Sequence, residues 1–206
     1  MEFSRLAAVF TKMEGTSSRL ELTAELARLF REAKPQEAKH LTYLCQGIVA
    51  PEHTGIQLGV GDKLAQQAIS IVSGRSVKEI EAAYRKHGDL GEAAEILLAK
   101  KSQSLLANET LTTEKAYNNF YRIATTAGEG SQDAKVKMLA ELLANSGPQE
   151  AKAIIRFVQG SLRLGIGEPS ILDALALVWL LQDVEKAQEI VVGEKQFFVK
   201  QHGVSL

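Results

Sequence analysis

One cysteine in 206 residues, no long apolar run and no surplus of positive charge are the first features of this chain, and each removes a class of protein. Cys45 cannot form an internal disulfide. Its place in Leu41-Thr42-Tyr43-Leu44-Cys45 marks a core thiol rather than a nucleophile, which fits a reducing, intracellular compartment. The longest uninterrupted apolar run, Ala174 to Leu181, falls well short of the ~20 residues that cross a bilayer. No basic stretch followed by an apolar one opens the chain, so no membrane or secretion signal is read. A net charge of −1 gives no support to a generally basic nucleic-acid binder. There is no Walker loop, because Gly128 to Lys135 lacks Gly-Lys-Ser/Thr, and there is no His-Glu-x-x-His or paired-cysteine metal pattern. His40, His53, His87 and His202 are scattered and read as surface or core residues.

Sustained two-residue alternation bounded by hairpin signals is also missing, which argues against a sheet. Apolar residues recur instead at three- and four-residue spacing: Phe3, Leu6, Phe10; Leu22, Leu26, Leu29; Met138, Leu139, Leu142; Ile154, Phe157, Val158. The expected fold is all-α, with about ten to twelve helices. Ser18, Ser76, Thr112 and Ser131 precede periodic runs as expected N-caps, with Glu21 and Glu79 as capping-box partners of Ser18 and Ser76. With 45% apolar residues the chain can bury a full core, as one domain of two halves or two very close subdomains.

The most informative pattern is a repeat. Pro35-Gln36-Glu37-Ala38-Lys39 returns as Pro148-Gln149-Glu150-Ala151-Lys152, and Gln46-Gly47 as Gln159-Gly160, in the same register; Leu26-Ala27, Leu29 and Ser18 match Leu139-Ala140, Leu142 and Ser131. Leu58-Gly59-Val60-Gly61-Asp62 then returns as Leu164-Gly165-Ile166-Gly167-Glu168 with a shorter offset, so the first copy holds extra residues within Ile48 to Gln57. This reads as a multi-helix domain of two pseudo-symmetric halves from an internal duplication. The domain is placed at 1–192, with halves of about 1–105 and 112–192, a connection at Lys101 to Thr112, and a terminal tail or start of a linker at 193–206.

Each Gly-x-Gly turn is followed by an acid and a helix, so each presents a helix N-terminus with unpaired N–H donors, and glycine lets a phosphate come close. Glycines also commonly end one helix and turn into the next. Arg163, two residues before Gly165, is placed on a short exposed segment where it reaches a phosphate or makes a surface salt bridge; its counterpart in the first copy is the neutral Gln57. Gly128-Glu129-Gly130-Ser131 with Lys135 is a third helix-entry loop, with Ser131 read as an N-cap. From Lys135 to Arg163 five cations stand against two anions, and from Leu164 onward the balance reverses. Read alone, these are solvated helix faces.

Gln159-Gly160-Ser161-Leu162-Arg163-Leu164-Gly165-Ile166-Gly167-Glu168, followed by Ser170-Ile171-Leu172 and Ala174-Leu175, resembles the signature near the end of the N-terminal DNA-binding domain of ATP-dependent DNA ligases. Leu58 to Lys63, Tyr84 with Gly88-Asp89-Leu90-Gly91-Glu92-Ala93-Ala94, and Gly128 to Ser131 are similar to that domain in the same order, so the likeness runs over about residues 1–190. It implies an all-helical domain that binds nicked double-stranded DNA across the minor groove, through sugar and phosphate and without base specificity. Carried over, the contacts are Gly160, Ser161, Arg163, Gly165 and Gly167 in the second loop and Leu58, Gly59, Gly61 and Lys63 in the first, with Ser131 and Lys135 beside them. Some relatives carry a basic residue where this chain has Ser161, which points to weaker, more salt-sensitive binding.

The sealing reaction needs a lysine that takes AMP from ATP within Lys-x-Asp-Gly, and that motif does not occur in this chain. The chain itself is therefore expected to use no cofactor. ATP and Mg²⁺ would serve a catalytic core elsewhere, in cis or trans. The resemblance also implies work in replication, repair or recombination, a sliding clamp as a further partner, and a cytoplasmic, nucleoid-associated location in a prokaryote. Two competitors stand beside it: a helical-repeat scaffold that binds a protein through a concave face, and a small-molecule enzyme with its site between the halves.

Overall fold

The computed structural model describes residues 1–99 and 110–181. Among them are ten α-helices and one 3₁₀ turn: α1 (Phe3–Glu14), α2 (Arg19–Glu32), α3 (Pro35–Gln46), the 3₁₀ turn Glu52–Thr54, α4 (Asp62–Ser73), α5 (Val77–His87), α6 (Leu90–Leu98), α7 (Thr113–Thr125), α8 (Ser131–Ala144), α9 (Pro148–Val158) and α10 (Glu168–Leu181). The all-α expectation holds. Extended pairing among the described residues is confined to an isolated bridge between Glu2 and Thr112, where Phe3 N–H donates to Leu111 O at 2.8 Å. Most of the expected connection at Lys101 to Thr112, and the tail at 193–206, lie outside the described residues.

The repeated Pro-Gln-Glu-Ala-Lys block has a local physical reason. Proline occupies the first helical position of α3 and of α9, where its missing N–H costs nothing. The glutamate then folds back on the helix entry: Lys34 N–H donates to Glu37 Oε2 at 2.9 Å, and Gly147 N–H donates to Glu150 Oε2 at 2.6 Å. Both helices also end alike. Gly47, with φ 74°, and Gly160, with φ 66°, turn the chain left-handed. Ile48 N–H then donates to Tyr43 O, and Ser161 N–H to Arg156 O, the longer of the two bonds of a Schellman ending. The extra residues of the first copy hold the 3₁₀ turn.

Capping follows the sequence expectation at Ser76, whose hydroxyl accepts from Glu79 N–H while Glu79 Oε2 accepts from Ser76 N–H at 2.9 Å. Thr112 likewise caps α7 by accepting from Lys115 N–H. At Ser18 the box is half formed: its hydroxyl accepts from Glu21 N–H, but the Glu21 carboxylate takes the Thr16 hydroxyl instead. Ser131 is a correction. Gly130, with φ 74°, makes the turn and accepts from Ala134 N–H, so Ser131 is already the first residue of α8 and its hydroxyl sits one step too far in to cap it.

Helices from early and late in the chain pack together: α2 on α10, α4 on α8, α1 on α9, α3 on α7 and α6 on α9. Their apolar faces merge into one hydrophobic cluster. Phe3, Phe120 and Phe157 are almost wholly buried, with Phe120 and Phe157 stacked at 4.1 Å. Each such side chain contributes about 1.5–3 kcal/mol relative to exposure. Cys45 lies inside this core, where burial pushes its thiol up to about 12.

Candidate nucleic-acid interface

The first glycine loop runs exposed from Gln57 to Gly61 and delivers the chain into α4 at Asp62. Leu58 is half-buried and Val60 is buried, so apolar side chains anchor the loop while Gly59 and Gly61 stay outside. Lys135 of α8 crosses to it, and its Nζ donates to Leu58 O at 2.8 Å. The same loop and the end of α9 line one open cleft of about 370 Å³, whose wall includes Gly47, Val49, Leu58, Gly61, Gln159 and Gly160. Gln159 Nε2 donates to Asp62 Oδ1 at 2.7 Å, which ties the second Gln-Gly turn to the first loop.

Tyr84 of α5 joins this contact, since its hydroxyl donates to Asp62 Oδ2 at 3.4 Å. The charge of Asp62, then burial and that hydrogen bond, raise the Tyr84 phenol above its ordinary range, while the nearby Arg163 pulls the other way. Arg163 is itself exposed and is the one non-glycine residue with a positive φ, 53°, among the described residues. Its Nη1 lies 3.4 Å from Asp89 Oδ2. Thus Leu58, Gly59, Gly61, Lys135 and Gly160 come together, while Arg163 pairs with Asp89 and makes no direct contact with that group. Gly165 and Gly167 are exposed on the loop that Arg163 begins, Gly165 against Leu22 of α2. Ser161 is half-buried behind Gly160, Lys63 is exposed on the first turn of α4, and Ser131 is half-buried at the start of α8.

Of the five cations between Lys135 and Arg163, Lys137 and Arg163 are exposed as expected from charge alone, but Lys135, Lys152 and Arg156 are not. Arg156 is 4% exposed. Its Nε donates to both Asp89 oxygens at 3.1 Å, and its other nitrogens reach Glu14 and Glu92. Lys152 pairs with Glu14 at 2.8 Å. Burial of Arg156 follows from Gly91: a Cβ there would stand 2.9 Å from Lys152 O, so only glycine lets α6 approach α9 and enclose the guanidinium. A buried cation is tolerable when carboxylates surround it. Burial opposes ionisation of Asp89, but the Arg156 hydrogen bond, the Glu92 N–H and the charges of Arg156 and Arg163 prevail and hold its carboxyl below the usual range.

Sequence reasoning missed Asp62, Gln159 and Asp89 as members of this site, although each stood within a motif. The recurring Gln-Gly pair was the available signal; its partner lies 97 residues away and is invisible without the fold. Among the described residues no group of three or more His, Cys, Asp or Glu is arranged to hold a metal ion, and no helix is long and apolar enough to cross a membrane.

Fold and site define an all-helical module in which the first glycine loop and the end of α9 line one exposed cleft, with Lys135 tied to that loop and an exposed arginine at the start of the second. The chain belongs to the family described as DNA ligase N terminus, whose profile matches residues 2–176. It is 45% identical over 179 residues to a DNA ligase of Nitrosopumilus maritimus (strain SCM1), covering 87% of this chain and 30% of that protein. A DNA ligase of Cenarchaeum symbiosum (strain A) is 45% identical over 176 residues, covering 85% and 30%. One of Staphylothermus marinus is 42% identical over 191 residues, covering 87% and 32%. The chain therefore spans less than a third of the length of these relatives.

Proposed function

We propose that this chain is the DNA-gripping part of an ATP-dependent DNA ligase, closing on nicked duplex DNA through phosphate and sugar contacts without reading bases. The observation that carries this reading is the convergence of the Leu58–Gly61 loop and Gln159–Gly160 on one open cleft, with Lys135 braced behind the first loop and Arg163 exposed where the second glycine loop begins. Helix entries and glycine backbones contribute N–H donors, and Arg163 and Lys63 contribute charge, all suited to a phosphate backbone. Such contacts carry no sequence information, which suits a protein that must act wherever a strand is broken. Adenylylation with ATP and Mg²⁺ belongs, on this reading, to a separate catalytic core.

The similar order of α1 to α4 and α7 to α10, and the reciprocal packing of α2 on α10 and α4 on α8, support a duplicated ancestral unit as the origin of the paired loops. A protein-binding scaffold is not favoured, because the relatives carry the name DNA ligase.

The test is binding of a fluorescent nicked duplex at several salt concentrations. With two phosphates neutralised by Arg163 and Lys63, the logarithmic salt slope should be about −1.8, or roughly twelvefold weaker binding at 200 mM than at 50 mM. Arg163→Ala should flatten that slope by about 0.9. Affinity that is insensitive to salt, or unchanged by Arg163→Ala, would sink the assignment.

A further inference from the structure

Arg163 is held by more than its own loop. A backbone at φ 53° is a conformation that an L-residue keeps only where its surroundings hold it. The partner nearest its guanidinium is Asp89, which is no mobile surface acid: its side chain is 6% exposed. Asp89 caps α6 by accepting from Glu92 N–H at 2.9 Å. Arg156 Nε donates to both of its oxygens, and Arg156 is tied in turn to Glu14 and Glu92. The carboxylate is thus fixed by α6 and α9 together, with capacity left on Oδ2 for Arg163 at 3.4 Å.

We propose that Asp89 is the positioning residue for Arg163, pinning its guanidinium and its left-handed backbone in the pose that meets a DNA phosphate. The inference rests on the reading of Arg163 as a phosphate contact. A guanidinium offers five N–H donors in a rigid fork, so one edge rests on Asp89 while another stays open to a phosphate. An arginine already ordered loses less freedom when DNA arrives. An anion beside Arg163 also lowers the local positive potential, which acts in the opposite sense. Arg156 decides between the two, because it already compensates the charge of Asp89, so the repulsion felt by an incoming phosphate is small and the ordering effect wins. Removing the carboxylate should then weaken DNA binding although it removes a negative charge, whereas bare electrostatics demands tighter binding.

The experiment is a double-mutant cycle on the 206-residue chain, read as affinity for a nicked duplex: wild type, Arg163→Ala, Asp89→Ser and the double variant. Serine keeps an oxygen to cap α6. Arg163→Ala should weaken binding roughly tenfold in the wild-type background but less than about twofold in the Asp89→Ser background, and Asp89→Ser alone should weaken it roughly fivefold. Tighter binding by Asp89→Ser, or the same Arg163→Ala factor in both backgrounds, overturns the positioning role while leaving Arg163 as a contact. Arg163→Ala binding like wild type instead overturns the contact itself, and the positioning role with it. Should Asp89→Ser fail to fold, the wild-type ¹⁵N relaxation of the Arg163 side-chain Nε–Hε decides: order well above that of exposed Arg122 supports the pinning, and equal mobility overturns it.

Discussion

Gly61 shows how a single residue separates the demands of the fold from those of a partner. Its φ is −86°, and no atom lies within 4 Å of where a Cβ would stand, so nothing in the fold requires glycine there. Threonine is about as good an N-cap as glycine. Gly61→Thr should therefore leave the melting temperature within about 2 °C of wild type, yet weaken nicked-duplex binding severalfold by filling the space that a phosphate backbone approaches. Equal affinity in the two proteins would show that the loop does not face DNA. The recurrence of Gly-x-Gly was plain in the sequence. The contact of Asp62 with Gln159 and Tyr84 was not, because it is made between residues far apart in the chain whose types promise nothing when read singly.

Helices and their ends were largely legible, since amphipathic spacing, proline at a first turn and a glutamate two residues later are local signals with local physical causes. Ser131 shows the limit: a serine before an apolar run resembles a cap, but the turn was made one residue earlier by Gly130. The approach of α6 to α9 was not legible at all, because a glycine in the first turn of a helix gives no sign of what will press against it. A Cβ on Gly91 would meet Arg156 Cγ at 2.8 Å and Lys152 O at 2.9 Å. Gly91→Ala gains ~1 kcal/mol of helix propensity but forces the two helices apart, at a cost of about 1–3 kcal/mol for overpacking and more where it loosens the Arg156 pairs. A net loss of about 1–2 kcal/mol is expected, seen as a fall of about 2–8 °C in melting temperature. A melting temperature at or above wild type would mean that the helices separate freely there.

At the scale of the whole molecule, α1 to α4 do not form a core of their own; they are laid against α7 to α10, and one hydrophobic cluster runs through both sets. Neither set can lose its structure without exposing the apolar face of the other. Far-ultraviolet circular dichroism and tyrosine fluorescence should therefore report a single, coincident unfolding transition in urea. Two resolved transitions would mean that the halves fold separately. The sequence by itself determined the helical class, the positions of most helix ends, the repeated glycine loops and the likeness to the ligase family, because each of these depends on residues close in the chain or on a pattern of types. Only the tertiary structure decided that Lys135 braces the first loop, that Arg156 is buried among carboxylates, and that Arg163 stands beside Asp89. Those pairings are made between helices distant in sequence, and apolar burial, which sets how the helices stack, is indifferent to the order in which the chain supplies them.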